Sequence, residues 1–281
     1  MPAFAAPDGT ELTYHVMGSG SAAPVVCLPG GPMRASAYLD DLGGLAAHRR
    51  LVRLDLRGTG ESAEPEDPAS YRCDRQVDDV EALREHLGLD RMALLGHSAG
   101  GGLAIRYATR HPERIDRLAL ITPSTRAIRA TTPTGVRRQV LKLREDEPWF
   151  AAASLAFEKV ATGTATREDW AAVAPMAYGR WDTAAKAHQA GEGGQRNGEA
   201  ARIFNSTGAF DPARTRAALA SVAAPVLLLA GDLDWIITPA MAADFAGLFP
   251  DARLVVQTGA AHYPWLDDAA GFVTAMAKFL G

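Results

Sequence analysis

The sequence predicts an α/β fold with a mostly parallel sheet, and three observations carry that expectation. Short runs rich in Val, Leu and Ile alternate with longer stretches of helical periodicity. The runs are apolar nearly throughout, as strands buried on both faces require; a half-exposed strand would alternate. The links between run and helix are short, which suits right-handed strand-helix-strand crossovers.

The elements follow in order. ELTYHVM, Glu11–Met17, reads as an edge hairpin strand, and PVVCL at 24–28 and RLVRLDL at 50–56 as buried strands. Residues 74–87 read as a helix because Val77, Val80, Leu83 and Leu87 share one stripe. RMALLG at 91–96 leads into a helix over Ala99–Arg110, and RLALITP at 117–123 is the next strand. From 124 to 209 no strand-like run of comparable strength occurs. That stretch reads as several helices rich in Ala, Arg and Trp, with a glycine-rich link, GEGGQRNG, at 191–198. It lies between two strands, so it is expected to be an inserted lid on a core of residues 1–123 and 210–281. APVLLLAG at 224–231, a helix at 239–248, ARLVVQTG at 252–259 and a helix over Ala269–Leu280 complete the core.

Composition narrows the function classes. With 281 residues, 47% of them hydrophobic, the chain can bury a full core. A net charge of −4 with both signs interspersed presents no basic face, so nucleic acid is not an expected partner. No run of about 18 apolar residues marks a membrane span. The N-terminus lacks a basic region followed by an apolar stretch, so a cytoplasmic location is expected. Cys27 and Cys73 form no CxxC and are expected to be reduced and structural. There is no GxxxxGK[ST], no HExxH and no convincing GxGxxG after a strand, so neither cofactor nor metal is expected.

The sharpest motif is GHSAG, residues 96–100, with a strand running in and a small-residue helix running out. That is the setting of a nucleophile elbow, in which Ser98 takes a strained backbone and Gly96 and Gly100 avoid collision across the turn. Gly101 and Gly102 would weaken a free helix, so close packing on the sheet is expected of both. A serine hydroxyl needs an aligned base and an orienting acid, which here follow in chain order as acid, then histidine. Asp234 stands after the strand VLLLA and His262 after RLVVQ, each just beyond a strand end. The developing oxyanion needs two donors; the backbone N–H groups of Ala99 and of Gly31, in LPGGPM, are the candidates. His97 is expected to pack rather than react, and His111 to sit in a helix-to-strand turn. His15, His48, His86 and His188 have no polar constellation in sequence.

Together PGGPM, DLRGTGES (residues 55–62), GHSAGG, GDLDWIITP and GAAHYPWL resemble the α/β-hydrolase superfamily, over roughly residues 4–123 and 210–281. More narrowly they resemble its proline iminopeptidase branch, which carries a GGPG loop and D-x-R-G-x-G-x-S. The resemblance implies an eight-stranded type of sheet flanked by helices, a helical lid and a serine hydrolase acting on an ester or amide through an acyl-enzyme. It depart from the branch at Pro29, where a histidine is usual, and at Met33, where a glycine is usual. Two lid glutamates that would hold a free amine correspond to Asp182, after Trp181, and to Phe204, in ARIFN. Losing a carboxylate at Phe204 argues against cleavage of N-terminal proline, though Asp182, Glu192 or Glu199 remain candidate amine anchors. The tryptophans of the insertion and beside the triad, Trp181, Trp235 and Trp265 among them, are expected to wall an apolar pocket. The expected partner is thus a small-molecule or short-peptide substrate. An aminopeptidase of the proline iminopeptidase type is the alternative; an acyltransferase and a non-catalytic binding protein are the other rivals. Arg57 in DLRGTGES is expected to be structural.

Overall fold

The computed structural model describes residues 1–129 and 132–281. One eight-stranded sheet organises them: β1 (Ala3–Ala5), β2 (Glu11–Met17), β3 (Val25–Leu28), β4 (Leu51–Leu54), β5 (Met92–His97), β6 (Ile115–Ile121), β7 (Val226–Gly231) and β8 (Ala252–Gln257), in the spatial order β1-β2-β4-β3-β5-β6-β7-β8. β2 runs antiparallel to both neighbours; from β4 to β8 every pairing is parallel. The α/β-hydrolase architecture expected from the sequence is therefore present. One element differs in position. Glu11–Met17 is not the edge, because β1 pairs along its outer side and buries Leu12, Thr13 and Tyr14 between two strands.

The continuous apolar runs follow from burial on two faces. In β5, Met92 and Leu94 enter one core layer and Ala93 and Leu95 the other; β7 divides Val226, Leu228 and Ala230 from Leu227 and Leu229 in the same way. Helices α1 (Val77–His86) and α2 (Ala99–Arg110) fill the first layer. Between β6 and β7 the chain forms α3 (Thr134–Lys142), α4 (Phe150–Thr162), α5 (Arg167–Val173), α6 (Thr183–Ala190), α7 (Glu192–Gln195) and α8 (Gly198–Phe204), followed by α9 (Pro212–Leu219). After β7 come α10 (Pro239–Ala246), α11 (Pro264–Asp267) and α12 (Ala269–Leu280), the last filling the second layer with Phe272, Met276 and Leu280. The glycine-rich stretch at 191–198 is more than a link. It contains α7, and it is stitched to the loop after β3 by Ala35 N–H to Gln195 O and Asn197 N–H to Met33 O, at 2.8 and 2.9 Å.

Arg57 is structural, as expected. It is buried, donates from Nε to Asp79 Oδ2 at 2.8 Å, and from Nη1 to Asp8 at 2.7 Å. Cys27 and Cys73 are buried, free thiols; burial pushes Cys27 up to about 12.

Candidate active site

β5 carries its direction straight into α2, and the joint between them is a single residue. Ser98 has φ 53° and ψ −117°, a region that side chains rarely occupy, so the turn is strained and its hydroxyl stands clear. Space explains the glycines around it. A Cβ on Gly96 would lie 2.6 Å from Gly100 O, one on Gly100 2.3 Å from Leu28 O, and one on Gly101 2.8 Å from Pro123 Cβ. Gly102 is different: a Cβ there would meet Phe210 at an ordinary 3.6 Å, so close packing accounts for Gly101 but not for Gly102.

The structure brings together the three residues named from the sequence. His262 Nε2 lies 2.8 Å from Ser98 Oγ, and His262 Nδ1 lies 2.9 Å from Asp234 Oδ2. Asp234 is fully buried, and its other oxygen accepts the N–H of Ile236 at 2.7 Å. Asp232, the nearer acid in sequence, instead accepts the Gly259 N–H on the surface. The backbone carbonyl of His262 accepts from Thr122 Oγ1 and from His97 Nε2, both at 2.9 Å, and its N–H donates to Ala177 O at 3.0 Å.

His97 therefore does more than pack. A carbonyl only accepts, so Nε2 must carry the proton and Nδ1 must accept from Tyr38 Oη, 2.6 Å away. Tyr38 Oη in turn accepts the Gly30 N–H at 2.6 Å. One buried chain thus ties the loop after β3 to the loop that holds His262. Burial keeps the His97 ring far below its ordinary range, hence neutral, which preserves that donor pattern. With Gly30 spent on Tyr38, Gly31 is the glycine whose N–H takes no hydrogen bond among the described residues. Ala99 is the first residue of α2, where a helix leaves its N–H free. Both line the cavity beside Ser98. Met33 adopts φ 58°, so the glycine-like backbone of the resembled loop is kept by a buried methionine.

That cavity has a volume of about 1190 Å³ and takes Trp181 and Trp235 into its lining. The other residues expected at the substrate lie elsewhere. Asp182 caps α6 by accepting the Ala185 N–H, Phe204 is buried against Phe210, and Trp265 is core, edge-on to His97 at 4.8 Å. An N-cap position, and the need of large aromatics for the core, account for these three. Glu199 does not line the cavity, whereas Glu192 does, and so does Trp170. The sequence reading missed Tyr38 and, among the basic residues of the lining, Arg34, Arg126 and Arg137. The phrase GGPMRAS offered Arg34 as the nearest signal; the other two carried none.

Three of the four histidines without a polar constellation in sequence also have partners, and one of them, His86, places Nε2 3.2 Å from Tyr14 Oη. His15 lies 2.8 Å from Asp55, and His188 bonds Tyr178 Oη at 2.8 Å and packs edge-on to Tyr263 at 4.5 Å. Burial lowers His188 to about 4. It binds its proton more weakly folded than unfolded, so stability is full above about 6.5, the unfolded value, and drains away as pH falls towards 4. His188→Gln is expected to flatten the decline of Tm across that interval, measured by circular dichroism. Identical slopes in the two proteins would remove His188 from this account.

A model of the alpha/beta hydrolase fold matches residues 23–269, and the chain belongs to that family. Its relatives include the proline iminopeptidase of Lactobacillus helveticus (strain DPC 4571), 44% identical over 117 residues, which make up 40% of this chain and 40% of that protein. The match thus spans well under half of that relative. Among solved structures, the proline iminopeptidase of Mycobacterium smegmatis is 26% identical with a TM-score of 0.72, covering 99% of this chain and 97% of its own. The enol-lactonase of Burkholderia xenovorans LB400 is also 26% identical, with a TM-score of 0.68 and 99% of both chains covered.

Proposed function

We propose that the chain is a cofactor-independent serine hydrolase that cleaves an ester or amide bond of a small substrate through an acyl-enzyme. The observation that carries this is the unbroken line from Ser98 Oγ through His262 to Asp234, at 2.8 and 2.9 Å. Ser98 attacks the carbonyl as His262 Nε2 takes its proton, and Asp234 holds the imidazole and stabilises its charged form. The N–H groups of Gly31 and Ala99 receive the oxyanion. His262 protonates the leaving group, then activates the water that frees the acyl group. Residues 124–209 serve as the lid, with Ala177, Trp181 and Glu192 facing the cavity.

Its likeness to proline iminopeptidases favours a second reading, an aminopeptidase. Glu192, the single carboxylate of the lining among the described residues, weighs against it, since it is engaged by Gln189 at 2.9 Å and by Arg196 at 3.4 Å. Rates on proline 4-nitroanilide and on 4-nitrophenyl hexanoate separate the two. Ester turnover without anilide cleavage is the expected result; rapid anilide cleavage would establish the aminopeptidase and make Glu192 the next residue to replace.

A further inference from the structure

The cavity around Ser98 is charged in one sense. Arg34, Arg126, Arg137, Arg167, Lys186 and Arg196 line it, against the one carboxylate of Glu192. The chain as a whole has a net charge of −4, so this concentration opposes the bulk balance. Among the described residues no carboxylate lies within ion-pair distance of Arg34, Arg126, Arg137, Arg167 or Lys186.

Two of these cations are held in position. Arg34 is 2% exposed, anchored through Nε to Gln195 Oε1 at 2.8 Å and through Nη2 to His188 O at 3.0 Å, and its Nη1 is buried without a partner among the described residues. Arg137 is half-buried, with its guanidinium 5.5 Å from the Trp235 ring centroid and its Nε likewise unpartnered among the described residues. Trp235 directly follows Asp234, so Arg137 stands on the acid side of the site. Burial and the nearby charge of Arg126 weaken the hold of Arg137 on its proton, and the Asp234 carboxylate offsets part of that loss. Stacking on an indole leaves the charge of a guanidinium unneutralised. Arg126 is exposed and Arg137 half-buried, and their mutual repulsion costs free energy that an anion placed between them would offset.

Resting on the reading of Ser98 as nucleophile, we propose that the substrate is an ester carrying a carboxylate, which Arg137 and Arg126 receive above Trp235 while the scissile carbonyl sits at Ser98. A guanidinium presents paired N–H donors that match the two oxygens of a carboxylate. The same lining repels an ammonium group, which places the substrate opposite in charge to a peptide N-terminus.

Matched esters test this. On the acyl side the set is 4-nitrophenyl hexanoate, mono-4-nitrophenyl adipate and 4-nitrophenyl 6-aminohexanoate. On the alcohol side it is 4-carboxyphenyl hexanoate and its methyl ester. One of the two carboxylates is expected to exceed its neutral partner in kcat/KM by about 10-fold or more. The aminohexanoate is expected to fall below the hexanoate, and the preference to shrink as salt is raised. Arg137→Gln and, separately, the exposed Arg126→Gln are each expected to lower the carboxylate-to-neutral ratio by several-fold. Ser98-dependent hexanoate turnover with no preference for either carboxylate, or a ratio unmoved in both variants, would overturn the inference and leave the hydrolase standing. Absence of Ser98-dependent turnover on every ester would overturn both.

Discussion

Ser98→Ala is expected to lower kcat/KM for 4-nitrophenyl hexanoate by about 10⁵- to 10⁶-fold, the scale on which a triad nucleophile is lost. The reason is local. Among the described residues no other hydroxyl is hydrogen-bonded to His262 Nε2, and Thr122 spends its Oγ1 on the His262 carbonyl. On the proposed mechanism, what survives is the catalysis that binding and the Gly31 and Ala99 donors would give on their own, with water as the nucleophile. The fold should be untouched: alanine inherits the φ of 53° and the same strain. A Tm within a few degrees of the parent therefore separates loss of chemistry from loss of structure. Variant activity within about 100-fold of the parent would show that another group attacks the ester.

Asp234→Asn is expected to cost about 10⁴-fold in kcat, through the tautomer of His262. Asp234 Oδ1 accepts the Ile236 N–H at 2.7 Å, and that donor requires an oxygen in any replacement. The asparagine must then turn its NH₂ towards His262 Nδ1, 2.9 Å from the present Oδ2. Facing a donor, Nδ1 has to accept, so the proton sits on Nε2 and points at Ser98 Oγ. The base can no longer take the serine's proton. The change is nearly isosteric and removes a buried charge, so Tm should hold while kcat falls and KM stays near the parent value. A loss under about 10-fold would mean that Asp234 only fills space.

The parts of the site that were legible in the sequence are those built locally. A strand entering GHSAG and a helix leaving it can only make the tight turn that strains Ser98, because the glycines at 96 and 100 have no room for a Cβ. Asp234 and His262 each follow a strand by a few residues, so the chain order of strand ends is enough to place them near Ser98. The sheet was readable for the same reason: burial on both faces leaves a continuous apolar run, whatever the neighbours are.

Long-range contacts were not legible in this way. His97 reaches Tyr38 across 59 residues and the His262 carbonyl across 165, and no spacing rule announces either bond. Trp265, placed next to His262 in sequence, turned inward because the second core layer needed an aromatic against Phe272. Phe204 and Asp182, aligned on a resemblance, went to core and cap, since insertion helices obey their own packing first. The charge of the cavity depends most on assembly. Its cations come from the loop after β3, the segment after β6, and α3, α5, α6 and the stretch after α7, each separately unremarkable on a chain of net negative charge. The sequence by itself determined the fold, the elbow and the order of serine, acid and histidine, because turn sterics and strand ends are local. Only the tertiary structure decided the bonds that hold His262 and the sign of the cavity, because both arise from side chains that meet only once the sheet and the helices above it have closed together.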